Sequence, residues 1–305
     1  MIVNIAVNKY NFQWAFPEMV ADHLGLFARQ GLEVIWSDAT PAAVTNKAAM
    51  YTELLMSKKT DIYHAGEWVC ILRVLDSKGS KIVSKSLPGP GTLNSTFSLY
   101  VRKESGYTSP ADLKDKPIAI EVGTGSYYTA LQDLERYMPK ESIRLVQVGE
   151  PHRRFLSLVN KEVEAASLLS PWTDLANTAP LVELLRTSRS NPTTSVARED
   201  DDPDKLRRVF VAVNEAIDKM NASPADFREM YFQKSQETLR DTPANVRQMA
   251  QGLRDTLVVP KWNHWVAYTR EDFEKTYRWM VDQKLAPSGH TYREVVASNT
   301  SEIFG

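Results

Sequence analysis

Met1-Ile2-Val3-Asn4-Ile5-Ala6-Val7 and, one loop later, Pro17-Glu18-Met19-Val20-Ala21-Asp22-His23-Leu24-Gly25-Leu26-Phe27-Ala28-Arg29-Gln30-Gly31-Leu32-Glu33-Val34 carry the pattern that decides the fold. The first seven residues are a short apolar run interrupted by Asn4, which reads as a strand. From Pro17 to Gln30 the apolar residues Met19, Val20, Leu24, Phe27 and Ala28 recur at helical spacing. Pro17 suits the first turn and Gly31 stops the helix. Leu32–Trp36 is a second strand. Strand, helix and strand in this order are the repeating unit of a parallel sheet covered by helices.

The same alternation continues outward. Ala42–Met56 reads as a helix, Thr60–Tyr63 as a short strand, Glu67–Leu75 as a helix and Lys81–Ser84 as a strand. Leu87-Pro88-Gly89-Pro90-Gly91 is the strongest turn cluster. A second series follows it, with strands at Thr96–Arg102, Ile118–Val122, Ile143–Val148, Glu164–Leu169, Leu181–Leu185 and Thr193–Ala197. Its helices are Ser126–Tyr137 and Arg153–Asn160. From Asp204 onward only helices are expected, at Asp204–Met220, Pro224–Gln233, Pro243–Leu257 and Glu271–Gln283. The expected fold class is α/β with two lobes, each a mostly parallel sheet flanked by helices, and a helical C-terminal tail. Residues 1–97 and 195–305 are assigned to lobe one and 98–194 to lobe two. Extended segments near 95–102 and 193–198 are expected to cross between the lobes, which would restrict motion to hinge opening and closing.

Composition agrees and removes several functions. The chain has 305 residues, and about 150 residues per domain gives two. Thirty-seven basic side chains against thirty-eight acidic ones leave a net charge of −1, which excludes a nucleic-acid footprint or a polybasic membrane surface as the main design. No run approaches the ~20 apolar residues of a membrane span. Cys70, the sole cysteine, excludes an internal disulfide and multi-cysteine metal or iron–sulfur sites. No cofactor and no metal are expected, and the chain is expected to be a monomer. Its start reads as a strand and not as a leader. The expected location is therefore cytoplasmic as the chain stands, or extracytoplasmic if a leader has been removed.

Ligands of open α/β sheets bind where the strands end, so the residues after each strand are the candidates. Asn8-Lys9-Tyr10-Asn11-Phe12-Gln13-Trp14-Ala15-Phe16 follows the first strand. Its aromatics alternate, which on a pleated segment would place all four on one side. Two are expected to pack under the next helix, leaving Tyr10 and Trp14, with Asn8 and Asn11, to face a planar polar ligand. His64-Ala65-Gly66-Glu67-Trp68 follows the third strand; His64 and Glu67 could hold a polar group or exchange a proton, and Trp68 could stack. These two would hold a metal only with a third ligand, and none is evident. Gly123-Thr124-Gly125-Ser126 joins a strand to a helix, where free N–H groups make an anion or acceptor site. Ser126 can add a hydroxyl. No third glycine follows for a dinucleotide fingerprint, and no Gly-Lys for a P-loop. Trp262-Asn263-His264-Trp265 is expected to pack the tail.

The stretch Pro17–Val34 resembles the opening of type II periplasmic binding proteins, in the branch that takes up thiamine-pyrimidine precursors, alkanesulfonates, taurine and nitrate. Ala111-Asp112-Leu113-Lys114-Asp115-Lys116-Pro117-Ile118-Ala119 is similar to that branch's entry to its second lobe. Gly123–Ser126 is similar to its ligand-facing turn, and Asn160-Lys161-Glu162-Val163-Glu164-Ala165-Ala166 to a later strand entry. The resemblance implies a solute-binding protein that traps a small polar, planar or anionic molecule (a pyrimidine precursor, a sulfonate or similar) by hinge closure. A permease of an ABC-type uptake system is the implied partner. It also implies a cleft residue in Ser170-Pro171-Trp172-Thr173-Asp174, for which Trp172 is the candidate. The alternative is a cytoplasmic enzyme on the same fold, a lyase, decarboxylase or thiamine-pyrimidine enzyme using His64 and Glu67 as acid–base groups. Against it, the cysteine-rich iron motif of the eukaryotic thiamine-pyrimidine synthase is absent. The first-loop cysteine of desulfinases of similar fold is also absent.

Overall fold

A computed structural model of the chain describes residues 1–40, 47–93, 97–187 and 191–304. In chain order it contains β1 (Ile2–Val7), α1 (Phe16–His23), α2 (Leu26–Arg29), β2 (Glu33–Asp38), α3 (Lys47–Met56), β3 (Ile62–Gly66), α4 (Glu67–Asp76) and β4 (Ser80–Ser86). Then come β5 (Ser98–Arg102), β6 (Ile118–Ile120), α5 (Gly125–Leu134), β7 (Leu145–Gln147), α6 (Pro151–Val159), β8 (Ala165–Leu168), α7 (Trp172–Ala176) and β9 (Leu181–Arg186). The remainder is β10 (Thr193–Arg198), α8 (Pro203–Ala222), α9 (Arg228–Leu239), α10 (Ala244–Gln251), β11 (Trp265–Val266), α11 (Arg270–Asp282), α12 (Tyr292–Val295) and α13 (Thr300–Phe304). The expected start of the second helix at Ala42 and of the fifth strand at Thr96 lie outside the described residues.

The expected first helix is two. Leu24 leaves helical geometry and Gly25 takes φ +67°, a left-handed conformation that glycine adopts without a Cβ penalty. The periodic apolar stripe survives the break because α2 resumes it.

The chain divides into two compact units. The first is Met1–Pro88, Asn191–Ser223 and Trp262–Gly305; the second is Gly89–Ser190 and Pro224–Lys261. This differs from the expected boundaries at two places. β10 lies wholly in the first unit, so the return falls before Asn191 and not at 195. The helices α9 and α10 belong to the second unit and not to a continuous tail on the first. Tyr231 of α9 is buried there, its hydroxyl 3.1 Å from Ser170 Oγ.

The first unit holds a six-stranded sheet in the order β11-β4-β10-β3-β1-β2. β1 pairs in parallel with β2 and β3, whereas β10 runs antiparallel between β3 and β4. α8 packs its apolar stripe, Leu206, Val209, Phe210, Val213, Ile217 and Met220, inward, and α1 lies against it. The second unit holds a five-stranded sheet, β7-β6-β8-β5-β9. β6 is parallel to β7 and β8, and β5 is antiparallel to β8 and β9. Each sheet is therefore mixed: most strands are aligned, one inner strand runs against them, and in the first sheet the edge strand β11, antiparallel to β4, does so too. In both cases the inner strand, β5 or β10, is the one that follows a passage between units. The two segments expected to cross thus contain inner strands of separate sheets, Ser98–Arg102 and Thr193–Arg198; residues 94–96 lie outside the described residues. The four-residue stretch Trp262–Trp265, expected as tail packing, does bury both tryptophans, and it also delivers β11 to the free edge of β4.

Candidate functional site

In the first unit the candidate groups collect where β1 and β3 end. The peptide after β1 is not pleated. Asn8 Oδ1 accepts from Tyr10 N at 2.9 Å and its carbonyl accepts from Asn11 N, which starts 3-10 structure over Lys9–Ala15 that kinks at Asn11. Such structure, with about three residues per revolution, cancels the alternation that would have placed four aromatics together. Phe12 and Phe16 go into the core, and Tyr10, Asn11 and Trp14 stay partly exposed. Trp14 meets Trp262 edge-on at 6.3 Å. A small recess of about 20 Å³ is lined by Asn8, Asn11, Trp14, Tyr51, Tyr63 and His64, among others. It has room for one water-sized group. The Tyr51 and Tyr63 rings lie 4.8 Å apart, and the Arg73 guanidinium sits over both.

His64 forms part of the recess wall, and both of its ring nitrogens face buried polar groups. Nδ1 lies 2.8 Å from Ser195 Oγ on β10, and Nε2 lies 3.0 Å from Glu18 Oε1 on α1. The ring stacks on Trp265 at 4.7 Å. Glu18 and Ser195 are fully buried. Three elements thus clamp one imidazole, and sequence reasoning missed both partners: they stand 46 and 131 positions away. The hint available was a glutamate in the apolar first turn of α1, where the helix dipole favours a carboxylate without requiring burial.

Two expectations at this strand end are corrected. Glu67 does not work with His64; its carboxylate accepts hydrogen bonds from Tyr268, Thr276 and Asn191, on the other side of the α4 start. Burial pushes its carboxyl up to about 7, the three hydrogen bonds working against that rise. Trp68 is fully buried, tilted against Trp279 at 6.3 Å. Neither side chain reaches solvent, because the first turn of α4 points into the α11 side of the core. Cys70 is buried in the same helix, and burial pushes its thiol up to about 11, which removes it as a nucleophile.

In the second unit the candidate turn follows β6. Gly123 has φ +71° and Thr124 precedes the first residue of α5. Thr124 Oγ1 donates to the Glu121 carbonyl at 2.8 Å, and Ser126 Oγ accepts from the Glu121 amide at 3.0 Å. Ser126 is buried, so its hydroxyl closes the turn and is not held out toward solvent. Gly123 is exposed, Thr124 and Gly125 partly so. They leave the first-turn amides of α5 as the group this turn can offer an anion. Arg154 of α6, which the sequence did not single out, is buried close to Glu121 and Glu150. Its Nη1 donates to the Ser167 carbonyl at 2.6 Å. Burial lowers it to about 10, so it remains a cation. Trp172 is a core residue instead of a cleft residue: it is buried against Phe155 at 5.8 Å and His152 at 6.3 Å. Among the described residues no group of three His, Cys, Asp or Glu side chains is placed to hold a metal ion. No helix among them is long and apolar enough to cross a membrane.

Two units, each a mixed α/β sheet with one antiparallel strand following a passage between them, define the type II periplasmic-binding-protein fold, and solved structures share it over the whole chain. The alkanesulfonate-binding protein SsuA from Xanthomonas axonopodis pv. citri, bound to MOPS, superposes with a TM-score of 0.72 at 15% identity, over 98% of this chain and 97% of that one. The periplasmic aliphatic sulphonate-binding protein SsuA from Escherichia coli gives 0.70 at 14% identity, over 97% and 91%. The desulfurization enzyme DSZB gives 0.57 at 13% identity, over 99% and 98%. No protein-family model and no curated protein sequence matches the chain.

Proposed function

We propose that the chain is a solute-binding protein for a small polar molecule, anionic or planar, such as a sulfonate or a pyrimidine precursor. The observation that carries this reading is the end of β1, where two asparagines meet aromatic faces around a recess that can seat one polar substituent of a solute and not the whole molecule. Amides supply hydrogen-bonding edges and the rings supply flat apolar area, which is the usual make-up of a small-molecule site. The exposed Gly123–Gly125 turn adds a donor-rich surface on the second unit. Capture would draw on both units and complete itself by hinge closure, and a permease of an ABC-type importer would receive the solute. The fold shared with sulfonate-binding proteins supports this reading. His64 and Glu67 hold different partners, which gives no support to the alternative in which they act together as acid–base groups.

A thermal-shift screen with aliphatic sulfonates, nitrate, aminopyrimidines and aromatic acids tests it, each hit followed by mass spectrometry. A solute bound only by the folded chain at about 100 times its Kd adds ~2.7 kcal/mol. Stabilisation without a change of ligand mass is the expected result, together with a smaller radius of gyration by X-ray scattering. Trp14→Ala should abolish the shift. A converted product would make the chain an enzyme, and an undiminished shift in Trp14→Ala would move the site elsewhere.

A further inference from the structure

Glu67 opens α4 directly after β3, and neutral donors surround its carboxylate. Tyr268 Oη donates to Oε1, while Thr276 Oγ1 and, at 3.0 Å, Asn191 Nδ2 donate to Oε2. Asn191 Nδ2 also reaches Thr276 Oγ1 at 2.7 Å, and the Glu67 amide donates to the Pro192 carbonyl at 3.1 Å. Asn191 and Pro192 begin the segment by which the chain re-enters the first unit, immediately ahead of β10. One buried acid therefore joins α4, α11, the residues after β11 and the re-entry point. The ionisable groups that face it are Cys70 of its own helix, Tyr268, and Asp272 of α11, which is itself paired with Lys85 of β4. Burial raises both the Cys70 thiol and the Tyr268 phenol, so both stay neutral through the physiological range.

We propose that Glu67 is a proton-sensitive latch on the re-entry segment: protonated, it holds Asn191 and Pro192 against α4 and α11; ionised, it favours their release into water. The neutral acid keeps the cluster intact, because the Tyr268 or Thr276 hydroxyl can turn to accept its proton. The ionised acid gains three hydrogen bonds but no cation, and burial costs it more than those bonds return. The carboxyl accordingly stands at about 7 in the closed cluster against an ordinary 4.5. In an opened segment water restores the ordinary value. The closed form then binds the proton more tightly, so opening grows as pH rises toward 7 and levels off above it. This inference is independent of the solute-binding reading.

Hydrogen exchange read on residues 64–70 and 191–198 of the full chain, from pH 5.5 to 8.5 and corrected for intrinsic rates, tests the latch. Local opening should rise roughly 15-fold from pH 5.5 to 7 and about 30-fold in all by pH 8.5, where the slope of about tenfold per unit that one released proton gives has levelled off. Peptides of β5 and β6 in the second unit serve as the reference and should not follow it. Glu67→Gln should stay protected at every pH. Tyr268→Phe removes one bond that favours the ionised form, and should move the plateau to higher pH. A flat wild-type profile overturns the proposal, as does an unchanged slope in Glu67→Gln. If Glu67→Gln does not fold, an unmoved plateau in Tyr268→Phe is sufficient to overturn it.

Discussion

The two inner antiparallel strands, β10 in the first unit and β5 in the second, occupy equivalent places and each ends in an arginine, but the carboxylates paired with Arg198 are buried while Glu164, paired with Arg102, is partly exposed. β10 is bound to its surroundings by polar contacts. Ser195 meets His64, and Arg198 bonds Asp61, Asp201 and the carbonyls of Leu55 and Thr60. β5 has Arg102 on Glu164 and on the carbonyls of Leu158 and Val163, and it adds Leu99 and Val101 to an apolar cluster with Leu113, Ile118, Ile120 and Leu134. A strand inserted among buried neighbours can be located either way. Apolar packing tolerates repacking, whereas a buried charge tolerates only partners in the right places.

The contrast sets the order of expected effects. Arg198→Leu leaves the buried Asp61 and Asp201 facing each other with only Lys205 between them, and should cost about 4 kcal/mol, the scale of breaking a buried ion pair. Denaturant unfolding measures it, and a loss below 1 kcal/mol would show that β10 is held mainly by its ladder. Leu99→Ala should cost about 3 kcal/mol, as a buried leucine truncation does. Its increased hydrogen exchange should be confined to the second unit; spread into the first would mean that the units unfold together.

Acid provides a finer test of the same contrast. Burial pushes the Asp61 carboxyl up, but the Asn4 amide, Arg198 and Lys205 together bring it below the ordinary 3.8. A depressed carboxyl stabilises the fold above its unfolded value and loses that contribution as pH falls through the folded one. Amides of β3 and β10 should therefore lose protection below about pH 4, and Arg198→Leu should shrink this acid-dependent loss. The smallest effect belongs to the surface. Arg29→Ala removes an ion pair with Glu215 in which both side chains are more than a third exposed, and should change stability by under about 0.5 kcal/mol. A larger loss would mean that α2 and α8 depend on charge more than on their apolar stripe.

Strand and helix positions were largely legible because they rest on local periodicity. β1 ends where the apolar run ends at Val7, and α11 covers nearly the span expected of it at Glu271–Gln283. The site was legible in place but not in detail. Residues 8–16 and 64–68 do sit at strand ends, yet the alternation of Tyr10, Phe12, Trp14 and Phe16 suggested a pleat where the Asn8 cap makes a 3-10 turn. Trp68 and Trp172 were chosen for their chemistry, and both are spent on the core. An aromatic is as useful inside as at a ligand, so residue type alone does not separate the two uses.

By itself the sequence determined the order of strands and helices and the presence of two α/β units, since those follow from spacing within a few turns of chain. Tertiary structure alone decided that α9 and α10 join the second unit, that His64 is clamped by Glu18 and Ser195, and that Glu67 grips Asn191 instead of a ligand. Those choices depend on groups separated by 46 to more than 120 positions, whose approach is set by which apolar faces bury together, and no local pattern records that.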